Sequence, residues 1–210
     1  MTTRVFWAFV GLTAVALWTN VSPALGETTY KGRMALVGKL DEPDGLCLDL
    51  PGPPFMLMLD RPAWVHTCKP GDFSDMVFQF NGSSVSAIRS DLVNPALCLN
   101  ADEVAEGSLL HFVECKNDSA EQLFRHMASG QILLASTASA ELSLCLSART
   151  AASAPPGEPP NNEDTDGHSM IVNLERSHVA RVLELRNCKS VSLEVSQWEA
   201  YEERKPRPFN

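Results

Sequence analysis

Six cysteines fall into three pairs, Cys47/Cys68, Cys98/Cys115 and Cys145/Cys188, and the gap between pairs repeats. Cys68 to Cys98 spans 30 residues (98 − 68), and Cys115 to Cys145 spans 30 again (145 − 115). A fixed interval of this kind points to one supersecondary unit copied along the chain. The flanks agree. The first cysteine of each pair opens Cys47-Leu48-Asp49, Cys98-Leu99-Asn100 or Cys145-Leu146-Ser147, and the second is followed by Lys69, Lys116 or Lys189. An aromatic follows nine or ten residues later: Phe78 (68 + 10), Phe124 (115 + 9) and Trp198 (188 + 10). In the first two copies a turn and an aliphatic residue come next, Asn81-Gly82 to Val85 and Ser129-Gly130 to Ile132.

The compartment bears on what the cysteines do. Residues 1–26 read as a secretory signal: Arg4, an apolar run from Val5 to Trp18, and the small-residue site Ala24-Leu25-Gly26. A membrane anchor is the other reading, but the run is short for a span of roughly 20 residues. An exported chain with an even cysteine count suggests disulfides. Of the connectivities open to six cysteines, the repeat selects the one in which each copy closes on itself. Zinc has little support, because no Cys-x-x-Cys is present and His66-Thr67-Cys68 stands alone.

Without the leader the charge is 16 − 26 = −10, since residues 1–26 hold one of the 17 basic residues and none of the 26 acidic ones. Phosphate recognition needs a basic surface, so nucleic acid is excluded as a partner. No later stretch is apolar enough to span a bilayer, so no membrane span is expected after cleavage.

The segments read as strands. Leu109 to Cys115 is a short apolar run, and Arg181 to Arg186 mixes apolar and charged residues at a period near two. Ser190 to Trp198 alternates, with Val191, Leu193 and Val195 on one side, and is expected to be a strand with one buried face. Glu121 to Met127 has room for one helical turn at most. Gly, Pro, Asn and Asp punctuate the runs at the intervals of an all-β barrel or sandwich. The third pair is stretched to 43 residues (188 − 145) by Arg149–Ser169, rich in proline and poor in apolar residues. It reads as an exposed insertion, neutral or functional, that buries too little to order itself.

No enzymatic constellation is legible. Gly-x-Ser-x-Gly, His-Glu-x-x-His and a phosphate-binding glycine loop are all absent from the sequence. Asp164-Thr165-Asp166-Gly167 has part of a calcium loop, but the twelfth position, counted from Asn162, is Asn173. The expectation is therefore no metal, no cofactor and no catalysis. Asn81-Gly82-Ser83 and Asn117-Asp118-Ser119 are sequons for glycosylation in a eukaryotic host.

Gly45-Leu46-Cys47-Leu48-Asp49, a strand ending at Cys68, an aromatic ten residues on, and then Asn-Gly and Val resemble the ricin B-type lectins. Their copies end in Gln-x-Trp; here the triplets are Met76-Val77-Phe78, Gln122-Leu123-Phe124 and Ser196-Gln197-Trp198. The resemblance runs from about Tyr30 to Tyr201. It implies a β-trefoil of three disulfide-closed repeats with pseudo-threefold symmetry. The domain would occupy residues 27–204, with repeats at about 30–87, 88–134 and 135–204, an insertion at 149–169 and a tail at 205–210. The triplet aromatics and the leucines beside the first cysteines should share one core. A triplet Gln should hold its turn by hydrogen bonds to backbone, and copies one and three, with Met76 and Ser196, should have altered turns.

Sugar recognition needs a carboxylate or amide for the hydroxyls and a flat ring for the apolar face. The resemblance puts the acid two residues after the first cysteine, the ring shortly before the second, and another polar residue just before the triplet. Copy one carries Asp49 as acid, His66 or Trp64 as platform, and Asp75 as the further polar residue. Copy two gives a weaker second site from Asn100, His111 and Gln122. Copy three has Ser147 and Arg186 in these places. The expected function is that of a secreted or periplasmic, non-catalytic, lectin-like module that binds a glycan or polysaccharide weakly, mainly through copy one. The alternative is a structural or protein-binding trefoil, inhibitor-like, that has lost its sugar sites. Peptide mapping of the unreduced chain is expected to return 47–68, 98–115 and 145–188; any crossed pair contradicts three self-closed copies.

Overall fold

The computed structural model describes residues 29–40, 42–69, 74–81, 85–139, 141–150 and 180–202. The leader (1–26), most of the insertion and the tail lie outside the described residues. The chain is all-β, and every strand pairing among the described residues is antiparallel.

Three hairpins organise it, each closed by one disulfide. β2 (Leu46–Asp49) pairs with β3 (Trp64–Thr67), β6 (Leu97–Ala101) with β7 (Leu110–Glu114), and β10 (Leu144–Ala148) with β11 (Ala180–Asn187). The bridges are Cys47–Cys68, Cys98–Cys115 and Cys145–Cys188, the self-closed set. The register is the same in all three: Leu46 faces Thr67, Leu97 faces Glu114 and Leu144 faces Asn187. Below each rung a backbone hydrogen bond runs from the second cysteine to the residue two before the first: Cys68 to Gly45, Cys115 to Ala96, Cys188 to Ser143.

The pleat explains why leucine flanks each first cysteine. Alternate residues of a strand point to opposite faces. Leu46, Leu48, Leu97, Leu99, Leu144 and Leu146 all turn inward and join one core with Phe78, Phe112, Phe124 and Trp198. Phe78 stacks on Phe112 with centroids 5.5 Å apart. The Trp198 indole, the polar exception, donates Nε1–H to Leu146 O at 3.1 Å, so its burial leaves no orphan donor. The remaining strands carry the hairpins: β1 (Thr29–Leu36), β4 (Phe78–Asn81), β5 (Arg89–Ser90), β8 (Phe124–His126), β9 (Ile132–Leu134) and β12 (Trp198–Glu202). β1 lies between β4 and β2 and also takes β12.

The segment before Trp198 departs from the expected strand. Leu193–Ser196 is one turn of helix (α1), and β12 starts only at Trp198. Ser192 caps it, its side chain accepting from Glu194 N, which gives the first turn a local partner that an extended chain lacks. The alternation is therefore not a buried stripe: Leu193 is 49 % exposed while Val195 is 7 %. Turns also precede the other two aromatics. A 3₁₀ turn covers Ser74–Met76, and Gln122 N bonds Ser119 O. The turn in copy two thus ends before Phe124, and β8 takes the rest of the Glu121–Met127 segment.

The triplet Gln does what was expected of it. Gln122 Oε1 accepts from Lys116 N at 2.8 Å, and its Nε2 donates to Glu114 O at 3.2 Å. In copies one and three, side chains from elsewhere reach other carbonyls near the second cysteine. Arg33 Nη1 donates to Lys69 O, and Gln131 Nε2 donates to Cys188 O at 3.0 Å and to Ser196 Oγ at 3.3 Å. Met76, at the Gln position of copy one, is fully buried against Ala35 and the Cys47–Cys68 disulfide.

The start of the insertion lies on a neck between β10 and β11. Ala148 pairs with Leu183, and Arg149 N donates to Val182 O at 2.8 Å. Gln122→Ala strips the partners from two backbone groups at the Lys116 turn. It is expected to lower the stability by about 1–3 kcal/mol, read from urea unfolding.

Candidate functional site

The hairpin of copy one has two faces. Leu48 and Val65 lie on the core face. Cys47, Asp49, Trp64 and His66 share the other, because Asp49 pairs with Trp64 and Cys47 with His66, and residues opposite each other project to the same side. Asp75, on the 3₁₀ turn, closes on this face, and its carbonyl accepts from Leu50 N at 3.1 Å.

Asp49 and Asp75 are brought together by a residue that the sequence reading did not single out. Lys69 Nζ lies 2.9 Å from Asp49 Oδ2 and 2.8 Å from Asp75 Oδ2. Both aspartates are buried, at 2 % and 1 % exposure. The second oxygen of each, Asp49 Oδ1 and Asp75 Oδ1, is buried with no hydrogen-bond partner, as is Trp64 Nε1. Trp64 is buried, whereas His66 is half-buried, with Nδ1 3.3 Å from Thr67 O. The structure thus joins Asp49, Asp75 and Lys69, sets Trp64 beside Asp49, and leaves His66 as the more accessible ring. Lys69 had one sequence signal: a lysine follows the second cysteine in all three copies, yet Lys116 and Lys189 are exposed.

Two carboxylates sharing one ammonium out of water raise the cost of charge. Burial pushes the Asp49 carboxyl from its ordinary 3.8 up to about 7; Lys69 pulls it down and Asp75 pushes it up. Burial also works against the charge on Lys69, but the two aspartates outweigh it and raise its pKa. The ammonium is therefore held charged, and Asp49 is the member that titrates near neutrality.

The other two copies do not repeat this arrangement. In copy two Asn100 pairs with His111 across the ladder. Asn100 Nδ2 donates to its neighbour's carbonyl, Ala101 O, at 2.8 Å, and His111 Nδ1 lies 2.8 Å from Asp102 Oδ1. Gln122 is engaged with the backbone of the Lys116 turn. In copy three Ser147 faces Glu184, a buried carboxylate on the opposite strand. Arg149 Nε lies 3.2 Å from Glu184 Oε2, and Arg186 Nε lies 3.5 Å from Glu106 Oε1. In copy three a buried acid thus stands on the strand opposite Ser147. Its signal was Glu184 standing between Leu183 and Leu185 on a strand.

The sequons differ in the same concrete way: Asn117 is exposed and Asn81 is buried. Among the described residues no helix is long and apolar enough to cross a membrane, and no group of three or more His, Cys, Asp or Glu is placed to hold a metal ion. No protein-family model matches the chain, and no curated protein is significantly similar to it.

The raised Asp49 pKa has a defined sign. The folded state binds this proton more tightly than the unfolded one, so the group's stabilisation is full below pH 3.8 and is lost as pH rises towards about 7. The stability of Asp49→Asn relative to the wild type is therefore expected to rise between about pH 4 and 7 and to level off above it. Thermal unfolding of both chains across that range is the measurement; a flat difference would show that Asp49 titrates normally.

Proposed function

We propose that this chain is a β-trefoil of the ricin B type that acts as a non-catalytic carbohydrate-binding module, with its ligand site in copy one. The shared register of the three hairpins supports the trefoil. Ala63, Leu110 and Leu183 occupy the same position in the three copies, and Ala63 N donates to Leu110 O while Leu183 N donates to Ala63 O. These are two of the three bonds that would link equivalent positions around a threefold centre. Three disulfides fit an oxidising compartment, in keeping with a secreted or periplasmic chain.

One observation carries the site. Asp49 and Asp75 converge on the outer face of a hairpin with a buried acceptor oxygen on each that no protein group satisfies. Unpaired buried acceptors weaken a fold, and such groups call for a reason beyond packing. Sugar hydroxyls are donors of the right kind. Asp49 and Asp75 would accept from them, Trp64 Nε1 would donate to a sugar oxygen, and the His66 ring would cover the sugar's apolar face.

A second reading, a protein-binding trefoil, has its own observation. The loop between β2 and β3 exposes Phe55 (79 %), Met56 (49 %) and Leu59 (37 %). Hydrogen bonds from Met56 N to Pro53 O and from Met58 N to Pro51 O hold its shape. Pre-organised apolar side chains of this kind suit a protein interface. A glycan array separates the two. Sugar binding that Asp49→Ala reduces at least about tenfold, roughly the 1.4 kcal/mol of a hydrogen bond to a charged group, supports the first. Undiminished binding in that variant removes the site from copy one, and an array with no hits favours the second.

A further inference from the structure

The triad of copy one has one member that reaches the surface. The Lys69 side chain is 23 % exposed, against 3 % for Asp49 and 2 % for Asp75. The lysine therefore reaches in from the surface and sets its ammonium between the two carboxylates. Lys116 and Lys189, at the same place after the second cysteine, stay exposed. Their copies have Asn100 and Ser147 in place of Asp49, so the ammonium is drawn inward where there are carboxylates to receive it. The other oxygens of the two carboxylates, Asp49 Oδ1 and Asp75 Oδ1, are buried without partners among the described residues, as is Trp64 Nε1 on the same face of the hairpin.

We propose that Lys69 is a tethered occupant of this site, and that the free ligand whose place it holds is an amino sugar, a pyranose with a primary ammonium. The inference rests on the carbohydrate-binding reading and narrows it to a substrate class. A neutral sugar that displaced Lys69 would leave two buried carboxylates facing each other without a cation, an arrangement that strongly disfavours ionisation of both. A ligand with its own ammonium restores both charge-assisted hydrogen bonds, which are roughly twice as strong as neutral ones. Its hydroxyls then donate to the two Oδ1 atoms, and Trp64 Nε1–H donates to a ring or hydroxyl oxygen. Arg33, the neighbouring cation, gives Nη1–H to the Lys69 carbonyl and so braces the backbone from which the lysine swings. In the resting chain Lys69 competes with ligand for the carboxylates, which makes the site self-inhibited.

Calorimetric titration of the wild type and of Lys69→Ala with glucosamine, N-acetylglucosamine and glucose tests this. Removal of the lysine is expected to tighten glucosamine binding by at least about tenfold. The variant should prefer glucosamine to the other two sugars by at least the same factor, since acetylation removes the positive charge. Adding Asp75→Asn should abolish that preference. Lys69→Ala leaves two buried carboxylates unneutralised, so the intact chain supplies a second readout. With ¹³Cε-labelled lysine, glucosamine should move the Lys69 resonance towards those of Lys116 and Lys189, and glucose should leave it in place. Equal affinity of Lys69→Ala for all three sugars overturns the amino-sugar inference and leaves the carbohydrate site standing. No binding of any sugar by either chain, with no movement of the Lys69 resonance, overturns both.

Discussion

The two-residue period of the Leu-Cys-Leu strands governs the rest of the structure. Leucine on either side of a cysteine points inward, so the cysteine must point outward, and so must the residue two places on. In the first hairpin this sends Leu46 and Leu48 to the core and Cys47 and Asp49 to the opposite face. The disulfide therefore costs the core nothing, and the face that carries it is the one where polar chemistry can collect. A register slip of one residue in any one of these strands would turn its pair of leucines away from the core. Burying a leucine is worth roughly 1.5–3 kcal/mol, so the register is firmly set, and the position of Asp49 is set with it.

The same logic explains what was legible in the sequence. The cysteine pairs, the hairpins and the core leucines and aromatics are local patterns with a fixed period, and the structure places them as read. Ser190–Trp198 was misread because alternation alone does not tell a strand from a capped turn. Ser192 could satisfy Glu194 N locally, and that local bond is invisible to periodicity. Lys69 was passed over for a different reason. A lysine after a cysteine looks the same in all three copies, and only the spatial convergence of Asp49 and Asp75 distinguishes the first. The buried acid of copy three, Glu184, was hidden because pairing across strands sets its place and sequence distance does not.

The copies also differ in which side chains hold the turn after the second cysteine. Copy two holds its turn with Gln122 from inside the repeat. Copies one and three draw on Arg33 in β1 and on Gln131 at the start of β9, each distant in sequence from the carbonyl it serves. The carbonyls served are not equivalent, being one residue before the second cysteine in copy two (Glu114), one after it in copy one (Lys69) and the cysteine itself in copy three (Cys188). At the triplet positions of those copies, Met76 packs against a disulfide and Ser196 belongs to a helical turn.

The neck at Arg149 and Val182 has a consequence for how this chain can vary. Its two sides are already joined by a backbone hydrogen bond and rest on the Ala148–Leu183 rung. The ends of the intervening segment are thus pinned at a separation that does not depend on how many residues run between them. The entropy of closing a loop grows only with the logarithm of its length, roughly 0.6 kcal/mol per doubling. Copy three can accordingly lengthen, shorten or exchange this segment while the hairpin beneath keeps its ladder and its cystine. The fold has an open port there, where new sequence can be tried without putting the other two copies at risk.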